Sequence, residues 1–379
     1  MDVFDQLRGG DQSALRGLNI QRVLRLSFDR PVLTTTSVAQ YTGLSRPTAQ
    51  TILSTLVEAD LLRLDGHDAR RGGRPAQQYR FAGDSRYVAG VDIGAYSISV
   101  RVASLDNVTV AAVRRAVSPD LGAEARIACV AAMIADAAPA GLVAVALGSP
   151  GIIDAHGVVR QCVAITGWAG VDLAAEFGRR LGCPITATKD TNLAVLAEHR
   201  LGAAQDVQIA LYVHLGHRLG VAALIAGLPF TGWSGAAGEI GRHPGLGWEQ
   251  APGELFRMAG VPAGSAESAN EWVFTRAAEG DAHALTAVDL FARTLADGIG
   301  AMVLALDPQR VVIGGGAARA GSVVLEPIQR HLAKTCYVLP EVVLSALNDD
   351  SVVLGAVEVA MAHARDLVLA SAVELVNPV

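Results

Sequence analysis

A carboxylate stands at a predicted strand-to-helix junction near the middle of the chain. Asp190 follows an apolar segment, residues 182–187, that predicts a strand, and it precedes residues 193–201, which predict a helix. The carboxyl ends of strands form the open edge of an α/β sheet, where such proteins bind their ligands. Asp190 is therefore a candidate for contact with a small molecule. The alternative is that Asp190 and Thr191 only cap the helix, a common role for both residue types.

The length and composition predict several domains and no membrane span. A chain of 379 residues, of which 51% are hydrophobic, is long enough for two or three domains. The best candidate for a membrane span, Gln208–Phe230, is interrupted by His214, His217 and Arg218. The N-terminus also lacks the basic start and apolar middle of a signal peptide. We therefore expect a cytoplasmic protein with no membrane partner.

The cysteines show no paired spacing. They are Cys129, Cys162, Cys183 and Cys336. Such scattered positions favour neither a disulfide framework nor a metal site, so we expect reduced thiols.

Charge is unevenly distributed along the sequence. Residues 1–85 hold 11 Arg and 9 Asp or Glu, a balance of +2, whereas the whole chain carries −6. A slightly basic front on an acidic remainder is consistent with a chain whose N-terminal part alone meets a polyanion.

The N-terminal part predicts three short helices. Apolar spacing and polar start signals place them over residues 19–28, 37–41 and about 47–59. Gly43 would form the turn between the second and third helices, and Ser45 would cap the third.

The outer face of the third helix carries short polar and arginine side chains. Two helices joined by a tight turn, with such a face on the second, are typical of a helix-turn-helix that enters a major groove. Any small three-helix domain could share this pattern. The candidate DNA contacts are Ser45, Arg46, Thr48, Gln50 and Thr51.

A basic hairpin follows these helices. Residues 61–64 and 78–81 alternate as two strands, and the tip between them, residues 70–75, contains Arg71 and Arg74. The pattern predicts the wing of a winged helix, suited to phosphates or a minor groove. A solvated charged loop is the alternative.

Three sequence segments resemble the front of ROK family regulators (repressor, open reading frame, kinase). They are TGLSRPTAQTILSTLVEADLL (residues 42–62), GGRPAQQY (72–79) and GVDIG (90–94). The resemblance continues to the C-terminus. It implies an α/β fold in which a winged helix-turn-helix, residues 1–83, precedes a bilobed body of the actin and hexokinase type (ribonuclease H-like), residues 84–379.

The residue pattern of the body agrees with two lobes. Strands are predicted over Tyr87–Ile93, Ser97–Ser104 and Val108–Arg115, after which helices and strands alternate. A second round begins near Ile209, and the last predicted helices surround residues 286–306 and 354–364. Such alternation predicts helices packed on largely parallel sheets, with the ligand between the lobes.

The first nucleotide-binding turn of the family's kinases is altered here. Two glycine-rich turns hold the ATP phosphates in catalytic members, and the resemblance matches Asp92 and Gly94 to the first. This chain has Ala95 and Tyr96 where the family has Gly and Thr. Glycine allows backbone N–H groups to approach phosphate closely, so a side chain as large as Tyr96 should obstruct it.

The second turn matches Gly216 and Gly220, but His217 and Arg218 replace Thr and Gly. The third glycine cluster, Gly314, Gly315 and Gly316, is intact and resembles the segment near the nucleotide base. A tight strand-to-helix turn explains that cluster equally well.

The sugar side of the resemblance is better preserved. Asp190 matches the family's catalytic base, here a vestigial candidate, which would accept a proton from a sugar hydroxyl. Glu239 and Glu254 match the carboxylates that bind sugar hydroxyls, and Gly151 matches the turn that lines the pocket. Carboxylates suit sugars because each accepts several hydroxyl hydrogen bonds in a fixed geometry.

Two cations depart from the family pattern at this site. Lys189 replaces an Asn, and Arg242 replaces a His that contacts sugar and ligates a structural zinc with three cysteines. Residues 243–256 contain no cysteine, so we predict no metal and no cofactor, and His243 is expected at the surface. Lys189 and Arg242 either neutralise Glu239 and Asp190 or bind an anionic effector such as a sugar phosphate.

The leading interpretation is a ROK-type transcription regulator, a repressor of carbohydrate metabolism. It would bind a double-stranded DNA operator as a homodimer or higher oligomer, and respond to a sugar or sugar phosphate. The second interpretation is an active ATP-dependent sugar kinase, glucokinase-like, with an appended DNA-binding head. The third is a DNA-binding protein whose body only dimerises.

Overall fold

The computed structural model describes residues 12–68, 76–262 and 269–374. The predicted wing-tip residues Arg71 and Arg74 lie outside the described residues. The α-helices are α1 Gln12–Asp29, α2 Thr35–Thr42, α3 Arg46–Glu58, α4 Ala123–Ala137, α5 Leu173–Leu181, α6 Asp190–Leu201, α7 Ala251–Ala259, α8 Ala269–Ala278, α9 Ala282–Leu306, α10 Ser322–Thr335 and α11 Ser351–Glu374.

The strands form four sheets. They are β1 Leu62–Asp68, β2 Ala76–Phe81, β3 Tyr87–Ile93, β4 Ser97–Ser104, β5 Thr109–Ala116, β6 Leu142–Ser149, β7 Ile152–Ile153, β8 Val159–Gln161, β9 Ile185–Lys189, β10 Ile209–Leu215, β11 Leu219–Ile225, β12 Leu228–Pro229, β13 Arg310–Gly314 and β14 Glu341–Leu344.

The predicted turn at Gly43 and the predicted helix cap at Ser45 are confirmed. Thr34 and Ser37 form a reciprocal capping box at α2, and Gly43 ends that helix in the left-handed conformation with φ of 72°. The Ser45 hydroxyl caps α3 by accepting a hydrogen bond from the Thr48 N–H. Helix α1 begins at Gln12, well before the predicted start at residue 19, and β1 and β2 pair as an antiparallel hairpin behind α3.

Each lobe of the body contains a five-stranded sheet, with orders β5-β4-β3-β6-β9 and β12-β11-β10-β13-β14. In the first lobe β3 pairs antiparallel with β4 but parallel with β6, and in the second lobe β10 pairs antiparallel with β11 but parallel with β13. The expectation of largely parallel sheets was therefore wrong. The reason is that a short turn after β3, and another after β10, returns the chain as an adjacent hairpin, for which an antiparallel partner is required.

Helices α6 and α11 lie between the two sheets. A single buried cluster includes Leu53 of α3, Leu193 of α6, Tyr212 of β10 and Leu369 of α11. Separate clusters cover the outer face of each sheet. The N-terminal head thus shares one continuous core with the centre of the body.

The strand register collects polar residues at the carboxyl edge of the first sheet. Asp92 pairs with Gly148 across β3 and β6, and Ser149 pairs with Lys189 across β6 and β9. Because these three strands are parallel, their carboxyl ends meet at one edge, which faces the second lobe. Asp190 is the first residue beyond β9 and opens α6.

Candidate functional site

Asp190 is the first residue of α6. Its Oδ1 accepts a hydrogen bond of 2.6 Å from the Thr191 N–H, and the positive end of the helix dipole stabilises its negative charge. Burial raises the pKa of Asp190, while the charges of His214 and Lys189 oppose that rise. The helix cap itself is Lys189. Asp190 therefore satisfies a helix N–H and also stands at the sheet edge where a ligand would bind.

Lys189 forms an ion pair with Glu239. Its Nζ lies 2.5 Å from Glu239 Oε1 and 3.3 Å from the Val221 carbonyl oxygen. The Lys189 side chain is only 4% exposed and that of Glu239 is 30% exposed. Since Lys189 ends β9 and Glu239 follows β12, the pair joins the two lobes and neutralises one of the predicted sugar-binding carboxylates.

The segment that carries Glu239 depends on glycine. Gly235 and Gly238 have φ of 80° and 82°. A Cβ at Gly235 would lie 2.0 Å from the Ile153 carbonyl oxygen, and one at Gly238 would lie 2.2 Å from that of Val221. The backbone of this segment therefore packs directly on both lobes.

The side chains of Arg242 and Glu254 do not join the pair of Lys189 and Glu239. Arg242 is exposed, and its Nη1 lies 3.4 Å from Glu249 Oε1. Glu254 is exposed on α7, at a groove that Leu290 and Thr294 of α9 also line. Within the described residues, the side chains of Arg242 and Glu254 share no hydrogen bond or ion pair with those of Asp190 or Glu239, although the Arg242 backbone N–H donates to the Glu239 carbonyl oxygen at 3.2 Å. Exposed His243 accepts a hydrogen bond from the Gly245 N–H, and no group of described residues could hold a metal ion.

Gly151 occupies a turn that only glycine fits. Its φ is 105°, and a Cβ there would lie 2.2 Å from the Gln161 carbonyl oxygen. The preceding Ser149 accepts a buried 2.8 Å hydrogen bond from the Trp168 Nε1–H. This bond fixes the end of β6 beside Lys189.

Two polar residues inside the body, half-buried His214 and buried Glu198, were missed by the sequence analysis. His214 lies near Asp190, and burial lowers its pKa while the Asp190 charge raises it. Glu198 is fully buried on α6 and accepts hydrogen bonds from the Ala203 N–H, the Leu347 N–H and the Ser345 hydroxyl. For His214 the available signal was its position in the otherwise apolar strand β10, whereas Glu198 lies next to His199 and Arg200 and had no such signal.

The two turns that resemble the family's phosphate-binding turns meet across the cleft through Tyr96 and His217. The Tyr96 and His217 rings stack with centroids 4.3 Å apart and an interplanar angle of 28°. Nearby Asp92 has its pKa raised to about 7, first by burial and then by the Asp190 charge. The turn after β3 needs a glycine at position 94, since a Cβ there would lie 2.8 Å from the Ser97 carbonyl oxygen.

The remaining glycines have packing roles. A Cβ at Gly314 would lie 2.2 Å from the Tyr212 hydroxyl, and Gly315, with φ of 82°, approaches the Leu215 carbonyl oxygen. Gly316 begins the 3₁₀ helix that follows, and Gly220 packs against Thr191. The tight-turn explanation of the third cluster is therefore sufficient.

The predicted DNA-reading face is exposed along α3. Ser45 and Thr48 hydrogen-bond to each other, and Thr51 donates to the Pro47 carbonyl oxygen at 3.0 Å. Arg46 is exposed at the helix start, and its side chain shares no hydrogen bond or ion pair with any described residue.

The Gln50 amide is engaged within the head. Its Oε1 accepts a 2.6 Å hydrogen bond from Thr35 of α2, and its Nε2 donates at 3.0 Å to Tyr79 of β2. The Tyr79 hydroxyl in turn donates to Gln77 at 2.9 Å. Gln50 therefore ties the reading helix to the preceding helix and to the hairpin.

Family comparisons agree with both parts of the chain. The ROK family model matches residues 88–254 and 253–363, and the model of the IclR helix-turn-helix domain matches residues 13–66. Among described helices, none is long and apolar enough to cross a membrane.

Individual relatives include both kinases and repressors. A glucokinase of Thermotoga maritima is 28% identical over 71% of this chain and 96% of its own length. A putative xylose repressor of Caldicellulosiruptor sp. is 21% identical over 92% of this chain and 96% of its own length.

Solved structures show the same fold. A ROK family transcriptional regulator, homologous to the E. coli MLC protein, superposes with a TM-score of 0.74 at 19% identity over 95% of this chain and 99% of its own. A Streptomyces griseus ROK glucokinase, in complex with glucose and AMPPNP, gives a TM-score of 0.63 at 25% identity. The match covers 72% of this chain and 99% of the glucokinase.

Proposed function

Because this chain belongs to the ROK family, we propose that it is a DNA-binding transcriptional regulator of the repressor kind, and that its body senses a sugar. The N-terminal helix-turn-helix supplies the DNA-binding part. The full-length relatives named xylose repressors support a carbohydrate as the effector.

The observation that carries this proposal is the packing of α11. One end of α11 packs on α6, the helix that Asp190 begins, and the other end packs on α1 of the head. Gln21 of α1 donates a 3.1 Å hydrogen bond to the Leu369 carbonyl oxygen, and the Arg365 guanidinium lies 5.2 Å from the Phe28 ring. A ligand that moves α6 therefore has a packed path to the DNA-binding head.

The effector that fits best is a neutral sugar. Lys189 is buried and paired with Glu239, and Arg242 is paired with Glu249 on the surface. Neither cation is directed at a phosphate, while Asp190 adds a further carboxylate. We therefore favour neutralisation over an anionic effector, with Asp190, Glu239 and the Gly151 turn as the sugar contacts.

Regulation requires that the sugar bind two states of the protein unequally. We propose a homodimer in which closure of the cleft changes the relative position of the two winged helices, and hence their fit to operator half-sites. The operator affinity then changes by the ratio of the sugar's affinities for the two states.

The test begins by mapping genomic binding sites, since genes adjacent to those sites indicate the sugar. Operator affinity is then measured with and without each sugar and its phosphate ester. We expect a neutral sugar to change operator affinity, and Asp190→Asn to abolish the response. An operator affinity that no sugar, phosphate ester or nucleotide alters would instead favour a body that only dimerises.

Sugar kinase activity is the second candidate, because Asp92 and Asp190 are both present and glucokinases are among the relatives. Against it, Tyr96 and His217 fill the space between the two phosphate turns. An ADP-release assay over a sugar panel separates the two functions. We expect no turnover, and turnover that Asp190→Asn eliminates would make the kinase the better proposal.

A further inference from the structure

The rim of the cleft carries two contacts that sugar sensing does not require. The first is the stack of Tyr96, in the turn after β3, on His217, in the turn after β10. The second is a 2.9 Å hydrogen bond from Arg218 Nη2 to the Val163 carbonyl oxygen. Tyr96 and Val163 belong to the first lobe, and His217 and Arg218 belong to the second. Both contacts therefore hold the lobes together.

The turn that carries Tyr96 is fixed from below. Arg126 is fully buried, and its guanidinium donates to the carbonyl oxygens of Gly94 at 2.6 Å and Ala95 at 3.3 Å. The same guanidinium donates at 2.9 Å to the Ser118 carbonyl oxygen. The two residues before Tyr96 are thus held in place by hydrogen bonds, which fixes the position from which its ring stacks on His217.

The opposite turn packs against the proposed sugar site. A Cβ at Gly216 would lie 2.6 Å from His214 Nε2, and one at Gly220 would lie 3.0 Å from Thr191. His214 and Thr191 both adjoin Asp190. A change at the rim is therefore transmitted to the start of α6 through direct contacts.

We propose that Tyr96, His217 and Arg218 form an interlobe latch, which closes the cleft with the chain's own side chains at the place between the two former phosphate turns. Rings in van der Waals contact leave no room for a phosphate group between them. The latch thus excludes nucleotide and supplies the closing contacts that a bound nucleotide could otherwise make to both turns. The latch rests on the proposed function in one respect, namely that the cleft between the lobes opens and closes.

The experiment measures opening without DNA or sugar. In the full chain, amide hydrogen exchange of peptides covering residues 92–98 and 214–220 is compared between wild type, Tyr96→Thr and Arg218→Met. Loss of a stacking or hydrogen-bonding contact of this kind should raise the opening equilibrium, and the exchange rate, about three- to tenfold. Tyr96→Phe retains a ring and should exchange as wild type.

Tyr337→Thr is the matched control, because this tyrosine is 98% exposed and lies in a different loop. Unchanged exchange in both Tyr96→Thr and Arg218→Met would overturn the latch. So would saturable binding of MgAMPPNP to the wild type in calorimetry, since the latch is proposed to exclude a nucleotide's phosphates from the space that the two rings occupy. Either failure leaves operator binding and its sugar response untouched, so the two proposals are tested separately.

Discussion

The burial of Lys189 bears directly on which ligand we propose for the cleft. A lysine beside a general base would ordinarily suggest an anionic ligand, but this side chain is buried and bonded to Glu239 and to the Val221 carbonyl oxygen. Its charge is therefore used within the protein. This one substitution relative to the family pattern joins the lobes through its ion pair, and it is the basis for proposing a neutral ligand.

The ion pair gives an asymmetric prediction for stability. Glu239→Gln leaves a buried ammonium without its partner, whereas Lys189→Met leaves a carboxylate that is 30% exposed and can reach water. We expect Glu239→Gln to lower the free energy of unfolding by about 1–3 kcal/mol, and Lys189→Met by less. Urea denaturation of both variants and the double variant provides the measurement. A larger loss in Lys189→Met would contradict the assigned burial.

Asp92 predicts a pH dependence. Its pKa is raised to about 7 in the folded protein, from an ordinary value of 3.8, so the folded state binds a proton that the unfolded state has lost. The stability contributed by protonated Asp92 is complete below the unfolded pKa and is lost as the pH rises through about 7. Asp92→Asn should therefore melt above wild type at pH 8, and the difference should vanish toward pH 4. Melting curves that differ equally at all pH values would exclude this assignment.

The reading helix α3 is positioned through its own polar face. Gln50, a candidate DNA contact in the sequence analysis, contacts α2 and the hairpin through Thr35 and Tyr79. Arg46 remains exposed at the start of the helix, where recognition helices contact base edges. Gln50 therefore orients the helix, and Arg46 is the residue that we propose contacts a base.

The two roles predict different losses of DNA affinity. Arg46→Ala should weaken binding selectively at the cognate operator, by about 1–3 kcal/mol if it contacts a guanine. Gln50→Ala should weaken cognate and unrelated DNA by similar factors, because it disturbs the position of the whole helix. Titrations on both DNAs at a fixed salt concentration distinguish these outcomes. A selective loss in Gln50→Ala would show that its amide exchanges its internal bonds for a base.

Helix α11 links the sensor to the head, and its contacts with α1 can be weakened without touching either site. We expect the double variant Gln21→Ala/Arg365→Met to bind the operator within about twofold of wild type but to lose most of the sugar response, since only the coupling is affected. Operator titrations with and without sugar measure both quantities.

Gln329→Ala is the matched control, because Gln329 makes a similar 2.9 Å hydrogen bond to the Val342 carbonyl oxygen inside the second lobe. A full sugar response in the double variant would exclude α11 as the link.

For the molecule as a whole, local signals predicted the elements better than their assembly. Residues such as Gly43 and Ser45 end or begin a helix through contacts with neighbouring atoms, so the sequence alone located them. Strand direction in the body depends on which distant segments pair, and there the expectation of largely parallel sheets failed. The domain boundary at residue 83 stays a prediction.

The site likewise contains residues that the sequence indicated and contacts that only the assembled fold shows. Asp190 was identifiable from its position after a predicted strand, and Gly151 from the family resemblance, which its φ of 105° explains. The Lys189–Glu239 pair, the Tyr96–His217 stack and the outward position of Arg242 join residues that are far apart in sequence or turn away from the pocket. No spacing rule within one chain segment could reveal them.

The central claim is that occupancy of the cleft and occupancy of the DNA are energetically coupled in one molecule. Coupling of this kind is reciprocal, so the operator must change the affinity for sugar by the same factor by which the sugar changes the affinity for operator. The most direct measurement is calorimetric titration of the active sugar into the free protein and into the protein–operator complex, without nucleotide. The account predicts two dissociation constants whose ratio equals the fold-change in operator affinity. Identical sugar affinities in the two titrations, alongside specific operator binding, would contradict it.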